Sequence, residues 1–203
     1  FFIFILKFSS EGEIFYFQER VGKDGKVFKI CKFATMLKDS PNLGTGTITI
    51  RNDPRIFPFG KFLRKTKLNE LPQIFNIFIG DMSFIGPRPL TSENFNFYSL
   101  ETQKVLIKVR PGLSGIGSII FRNEEEILFG KNATTDFYEN EIIPYKGSLE
   151  KWFVRNKNIR IYFLLMFLTI WFVLSPSSKI NQELFKELPE PKENLKKYLH
   201  FSK

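Results

Sequence analysis

At 203 residues the chain suits one domain with appendages and can bury a sizeable core, while 43% hydrophobic and 25% charged residues exclude a disordered chain and a polytopic membrane protein. A single Cys (Cys31) excludes a disulfide framework and a cysteine zinc site, and a single His (His200) argues against Ser-His-Asp and Cys-His catalysis, which leaves carboxylates, hydroxyls, Lys and Arg for any chemistry. The 30 Lys and Arg exceed 21 Asp and Glu for a net charge of +9 beside 25 Phe; nucleic acid, a nucleotide or an acidic membrane suits the charge, and only the membrane also suits the Phe excess.

The chain opens on the apolar run Phe1-Phe2-Ile3-Phe4-Ile5-Leu6, which reads either as a buried strand or as the exit end of a longer apolar membrane helix. Residues 13–33 are strand-like on both sides of Asp24-Gly25, a pair suited to a tight hairpin turn. Residues 39–53, with Pro41, Gly44 and Gly46 among polar residues, predict an exposed loop. Helical apolar spacing follows over 59–63 and 71–79, broken by Gly80. Ser92 is placed to cap a third helix that runs through Val109 and ends at Pro111-Gly112. Residues 118–121 read as a strand, Glu124-Glu125-Glu126 as a helix start that complements the dipole, and a helix over 135–143 is expected to stop at Pro144. Ile159 to Leu174 is the most apolar segment, yet its roughly 16 residues fall short of the roughly 20 a spanning helix needs. It is expected to lie on or dip into a membrane, with Lys151, Arg155, Lys157 and Arg160 as basic flank and Trp152, Tyr162 and Trp171 as interfacial rings; a core helix is the plainer alternative. Charges crowd the residues beyond it and predict a solvated tail.

Chemistry concentrates between Arg64 and Pro89. In Thr66-Lys67-Leu68-Asn69-Glu70-Leu71-Pro72-Gln73, Pro72 is tolerated only in a first helical turn. Asn69 is then the expected N-cap, and Glu70 sits at the positive helix end beside Arg64, Lys65 and Lys67. Such an end collects phosphate, and a carboxylate within it repels that ligand unless a divalent cation stands between, so Glu70 beside phosphate implies Mg²⁺ or Mn²⁺; a simple capping turn with a solvated Glu is the alternative. In Gly80-Asp81-Met82-Ser83-Phe84-Ile85-Gly86-Pro87-Arg88-Pro89, prolines on both sides stiffen the backbone at Arg88, which suits a bidentate grip on phosphate; the alternative is a rigid surface turn. Gly112-Leu113-Ser114-Gly115-Ile116-Gly117 departs from G-x-G-x-x-G and reads as a turn feeding a strand.

These two segments, with Gln18-Glu19-Arg20-Val21-Gly22 and Lys32-Phe33-Ala34-Thr35-Met36 before them and Arg110-Pro111-Gly112-Leu113-Ser114-Gly115 after, closely resemble the bacterial sugar transferase family, the monotopic phosphoglycosyl transferases. The resemblance runs in order from about Phe1 to Ser175. It implies a transferase on the cytoplasmic face of the bacterial inner membrane that moves a sugar 1-phosphate from a UDP-sugar to polyprenyl (undecaprenyl) phosphate, with Mg²⁺ as cofactor. In that family an Asp-Glu pair just before Leu-Pro-Gln does the work: the Asp attacks the β-phosphorus and the Glu helps hold the metal. Here the Glu is Glu70 and the Asp position is Asn69, whose carboxamide cannot attack as a carboxylate does. Three readings stay open: a catalytically silent relative that binds a nucleotide sugar, a step taken over by Glu70 or by direct attack of the acceptor phosphate, or a substitution introduced to trap the enzyme. Expected substrate contacts are Lys32, Thr35, Arg64, Arg88 and Arg110. Ala34 where the family has Arg, and Arg160 and Tyr162 where it has an acidic residue, bear on substrate choice.

The expected architecture is mixed α/β with helix dominant: a small membrane-associated domain with a short β-hairpin and interfacial helices. Residues 1–12 would be the exit end of an N-terminal membrane helix, 13–150 the catalytic-type domain, 151–176 the membrane-interface helix and 177–203 the charged tail. The membrane surface is an expected partner. Nucleic acid is not, because the basic residues are dispersed and no helix-turn-helix or RRM signature is present; a homo-oligomer is compatible with the chain.

Overall fold

Strand β1 (Phe15–Val21) folds back antiparallel on β2 (Val27–Phe33), pairing Phe15 with Phe33 and Val21 with Val27. The turn between them needs positive φ, supplied by Asp24 (56°) and Gly25 (74°), two residue types that tolerate the left-handed region. This computed structural model describes residues 2–9, 11–43, 53–122, 124–127, 137–175, 177–181, 184–196, 198–199 and 201–202; Gly44, Gly46, Thr135, Pro176 and His200 lie outside them. The first apolar run forms a helix, α1 (Phe2–Ser9). Helix α2 (Pro58–Lys65) and helix α3 (Gln73–Phe78) flank a 3₁₀ turn at Leu68–Glu70. Strand β3 (Ser83–Ile85) then runs parallel to β4 (Gly112–Ser114), with Ser83 opposite Gly112 and Ile85 opposite Ser114.

Several expectations change. The single helix over 92–109 is two, α4 (Ser92–Asn96) and α5 (Leu100–Leu106). Thr91, not Ser92, caps the first by accepting from the Asn94 N–H, and Ser99 breaks the run by accepting from the Thr102 N–H to cap the second. Residues expected as a strand belong to helix α6 (Ile116–Ile120), where Ile116, Ile119 and Ile120 are all buried. Their i, i+3, i+4 spacing makes one buried helical stripe, and that packing overrides the β preference of β-branched side chains. Helix α7 (Glu124–Ile127) starts at the acidic run as expected. Pro144 starts a helix instead of stopping one: it occupies the first turn of α8 (Ile143–Asn156), where no N–H is needed, after a π-helical turn at Tyr138–Ile142.

The apolar helix is α9 (Ile159–Leu174), divided from α8 at Lys157-Asn158, where Asn158 Oδ1 accepts from the Ile161 N–H at 3.0 Å. Two-residue strands β5 (Ile180–Asn181) and β6 (Phe201–Ser202) and helix α10 (Glu193–Lys196) complete the chain. The main core joins α6, α8 and α9 through residues such as Ile116, Leu149, Phe153, Leu165 and Leu168. Trp152 is no interfacial ring: it is buried there and donates its indole N–H to the Lys186 carbonyl at 3.0 Å. The tail is not merely solvated, since Phe185, Leu195 and Leu199 enter the same core while its described charges stay outside. On its opposite side α9 exposes Phe163, Phe167, Ile170 and Leu174, and α3 exposes Ile74, Phe75 and Phe78, the last at 87%. Among the described residues no helix is long and apolar enough to cross a membrane.

Candidate active site

Two elements far apart in sequence are locked together by one buried amide. Asn76, on the inner side of α3, accepts from the Cys31 N–H at 2.9 Å and donates to the Lys29 carbonyl at 2.8 Å, so its side chain extends the backbone pairing of β2. This seats the 3₁₀ turn against the hairpin and puts the Lys32 ammonium 3.1 Å from Glu70 Oε1. The hairpin register places Tyr16, Gln18, Arg20 and Lys32 on a common face, because paired residues and alternate residues along a strand share a side. Arg20 donates to Gln18 Oε1 and, at 3.3 Å, to the Pro89 carbonyl. The hairpin thereby holds the Pro87-Arg88-Pro89 turn, helped by the Val21 N–H on the Leu90 carbonyl at 2.9 Å.

The Gly86–Pro89 and Arg110–Gly115 motifs are two halves of one construction. Gly86 N–H donates to the Ser114 carbonyl at 2.9 Å, and Gly112 N–H to the Pro87 carbonyl at 2.8 Å. The backbones approach so closely that a Cβ on Gly112 would lie 2.1 Å from Gly86 N and one on Gly115 2.2 Å from Gly86 O, which accounts for the glycines on both sides. Pro87 and Pro89 are buried and Arg88 points outward. Its guanidinium engages no protein acceptor among the described residues, while its charge acts on Glu70, Lys32 and Arg20.

Burial by itself would raise the Glu70 pKa, but the charges of Lys32, Arg88 and Lys67, with the hydrogen bond from Lys32, outweigh it and bring the carboxyl down to about 2. Burial lowers the Lys32 ammonium, and Glu70 offsets part of that. Burial and the nearby Arg88 charge lower Arg20 to about 10, which leaves it a cation at neutral pH. The result is an ionised carboxylate ringed by four cations, a surface made for a polyanion that also needs a compensating carboxylate.

The expected N-cap is not formed. Asn69 and Glu70 belong to the 3₁₀ turn, which begins after Lys67 adopts a left-handed φ of 59°, and the six-residue α3 starts only at Gln73. Asn69 turns inward, 8% exposed, with Oδ1 unpartnered, and Gln73 Nε2 is likewise buried without a partner. Oxygens within this turn that suit a hard cation are the Glu70 carboxylate and the Asn69 carboxamide oxygen; among the described residues no cluster of three His, Cys, Asp or Glu is gathered.

The remaining expected contacts scatter. Thr35 is buried beneath α2, where a Cβ on Gly60 would come within 2.3 Å of its carbonyl oxygen, so it serves the packing of α2. Arg64 is half-buried in the last turn of α2, and Lys67 rather than Arg64 is the cation of that run whose charge acts on Glu70. Arg110 lines a different cleft of about 370 Å³ with Lys23, Lys108, Lys157 and Tyr162. Arg20 escaped the sequence reading of the site, although its period-2 spacing from Gln18 was a usable signal.

Comparison with known proteins comes down to one family. The family model described as bacterial sugar transferase matches residues 1–176. The chain is 36% identical over 165 residues to the UDP-glucose:undecaprenyl-phosphate glucose-1-phosphate transferase of Escherichia coli, covering 80% of this chain and 34% of that protein. It is 36% identical over 134 residues to the exopolysaccharide production protein ExoY of Rhizobium meliloti, covering 59% of each. A Klebsiella pneumoniae protein with the same name as the E. coli one is 41% identical over 118 residues, 56% of this chain and 25% of that protein. The chain thus spans between a quarter and three fifths of these relatives.

Proposed function

The chain belongs to the bacterial sugar transferase family, and from its site geometry we propose that it transfers a sugar 1-phosphate from a UDP-sugar to undecaprenyl phosphate on the cytoplasmic face of the bacterial inner membrane. The observation that carries this reading is the ionised Glu70 held at 3.1 Å by Lys32 and surrounded by the charges of Arg88, Lys67 and Arg20. The names of the E. coli and Klebsiella relatives give the substrate classes. Arg88, on its stiff turn and with no acceptor among the described residues, would grip the donor diphosphate in a bidentate manner, and Lys32 and Arg20 would neutralise charge that collects on the leaving UMP. Glu70 and the unpartnered Asn69 Oδ1 fit Mg²⁺, which is commonly held by one or two protein oxygens with phosphate completing the set. Bound there, the ion would neutralise the diphosphate for attack. The exposed apolar faces of α3 and α9 would rest in the membrane and bring the site to the lipid acceptor.

Asn69 decides the chemical route. A buried, neutral carboxamide forms no phosphosugar ester by the family's covalent route. The balanced alternative is a single displacement: an oxygen of the acceptor phosphate bonds to the β-phosphorus, the bond from that phosphorus to the bridging oxygen breaks, and UMP leaves with the electron pair. A second reading, a silent relative that keeps the donor site, draws on the same buried Asn69. The test is UMP release from a panel of UDP-sugars with undecaprenyl phosphate, on this chain and on Asn69→Asp. Release by both, with an adduct on residue 69 only in the Asp variant, supports displacement here. Release by the Asp variant alone selects the silent relative, and release by neither overturns the proposed function.

A further inference from the structure

Four cations converge on the cleft of about 370 Å³ described above: Lys23 in the hairpin turn, Lys108 and Arg110 beyond α5, and Lys157 between α8 and α9. Contacts between distant elements gather them. The Asp24 N–H donates to the Ile107 carbonyl at 2.7 Å, which ties the hairpin turn to the end of α5, and Ser114 Oγ meets Thr169 Oγ1 at 2.8 Å, which ties the strand that follows Arg110 to α9. Among the described residues no Asp or Glu lines the cleft, and none of the four side chains has an ion-pair or hydrogen-bond partner. By contrast, Lys151 and Arg155 on α8 share Glu101 at 3.5 Å. Like charges held about one cavity without a counter-ion repel one another, and an anion entering the cleft relieves that repulsion.

The surroundings decide which anion. Tyr162, which walls the cleft and whose hydroxyl has no partner among the described residues, lies edge-on to the exposed Phe163 of α9 with ring centroids 6.2 Å apart. Arg110 lies over Gly80, where a Cβ would meet its Nη2 at 3.6 Å, next to the exposed Phe78 and Ile79 at the end of α3. The cleft therefore adjoins both exposed apolar faces, an arrangement that suits a molecule with an anionic head and apolar chains. We propose that this cleft binds the headgroup phosphate of an anionic phospholipid, with Lys23, Lys108, Arg110 and Lys157 around the phosphate and the acyl chains along the exposed rings of α3 and α9. A lipid acceptor is the poorer fit: its phosphate has to reach Glu70, which precedes α3, whereas Arg110 sits past the other end of that helix. The phospholipid thus fixes the domain on the bilayer and leaves the Glu70 site open to substrates. That the apolar faces rest in a bilayer belongs to the function proposed above; the preference of the cleft for a phosphate anion is independent of it.

The test is co-sedimentation of the full chain with vesicles of phosphatidylcholine alone and of phosphatidylcholine with phosphatidylglycerol, joined to acetylation footprinting of lysines by mass spectrometry. Phosphatidylglycerol should raise binding and protect Lys23, Lys108 and Lys157 from acetylation, while the exposed Lys104 and Lys186 stay reactive. Lys108→Gln with Lys157→Gln should lower the phosphatidylglycerol-dependent part of the affinity by about fivefold for each cation removed. Lys104→Gln with Lys186→Gln, an equal change of charge outside the cleft, should leave it unchanged; an equal loss in both pairs reduces the attraction to overall charge and overturns the inference. Protection by inorganic phosphate alone identifies a free-anion site, and protection by undecaprenyl phosphate in phosphatidylcholine vesicles identifies an acceptor site; either overturns the phospholipid assignment. Equal binding to both vesicle types with no lysine protected overturns the cleft as a lipid site and leaves the membrane placement standing, whereas no binding to either refutes the membrane placement and the inference with it.

Discussion

Replacing Lys32 by Met removes the first-named of the cations that hold Glu70 ionised while keeping much of the side-chain volume. Holding the carboxyl at about 2 instead of its ordinary 4.5 corresponds to roughly 3 kcal/mol in favour of the charged form. Among the cations around Glu70, Lys32 contributes most and also supplies the hydrogen bond, and both side chains are only 19% exposed. Solvent screening is therefore modest, and Lys32→Met should destabilise the fold by about 1 to 3 kcal/mol at pH 7. The sign with pH follows from the depressed carboxyl: its contribution is complete above the unfolded value and is lost as pH falls through 4.5 toward about 2. Guanidinium unfolding in detergent at pH 7, 5, 4 and 3 should show the gap between wild type and variant narrowing over the last two steps. A variant within about 0.5 kcal/mol of wild type at pH 7, the ordinary range for an unremarkable surface substitution, or a gap that does not narrow toward pH 3, would refute the pairing as the source of the Glu70 shift.

Arg88→Lys keeps the charge but not the two-pronged grip, so calorimetry should show UDP-sugar binding weakened by about 1 to 3 kcal/mol with stability unchanged; equal affinity would return Arg88 to a solvated turn. Asn76→Leu leaves the Cys31 N–H and Lys29 carbonyl unpaired, and thermal melts should register a loss of about 2 to 4 kcal/mol, whereas a neutral result would mean that the α3 clasp is dispensable. Phe75→Ser with Phe78→Ser strips the most exposed part of the α3 apolar face, and co-sedimentation with anionic liposomes should weaken by about tenfold or more, at roughly 1.5 to 3 kcal/mol per buried Phe. Unchanged sedimentation would rule out that face as a membrane contact.

The sequence by itself determined what local stereochemistry controls. Asp24-Gly25 had to be a turn because few other residues accept positive φ, and prolines on both sides had to stiffen Arg88. The family was readable because its motifs are contiguous. Local rules also misled where tertiary packing outweighed them. Ile119 and Ile120 favour a strand alone, but against α8 and α9 their spacing with Ile116 buries a helical stripe. Pro144 can end one helical segment or open the next, and only the packing of α8, which continues from a π-helical turn at Tyr138–Ile142, put it in a first turn.

The site itself was decided by the fold. Lys32 and Glu70 are 38 residues apart, and nothing near either announces the other. They meet because Asn76 substitutes its amide for a strand partner of β2, a bond that depends on where α3 lands. Charge interactions of this kind fall off with distance in space and are indifferent to distance along the chain, so residue order alone could nominate Glu70 and Arg88 while three-dimensional packing had to supply the groups that set their charge and aim.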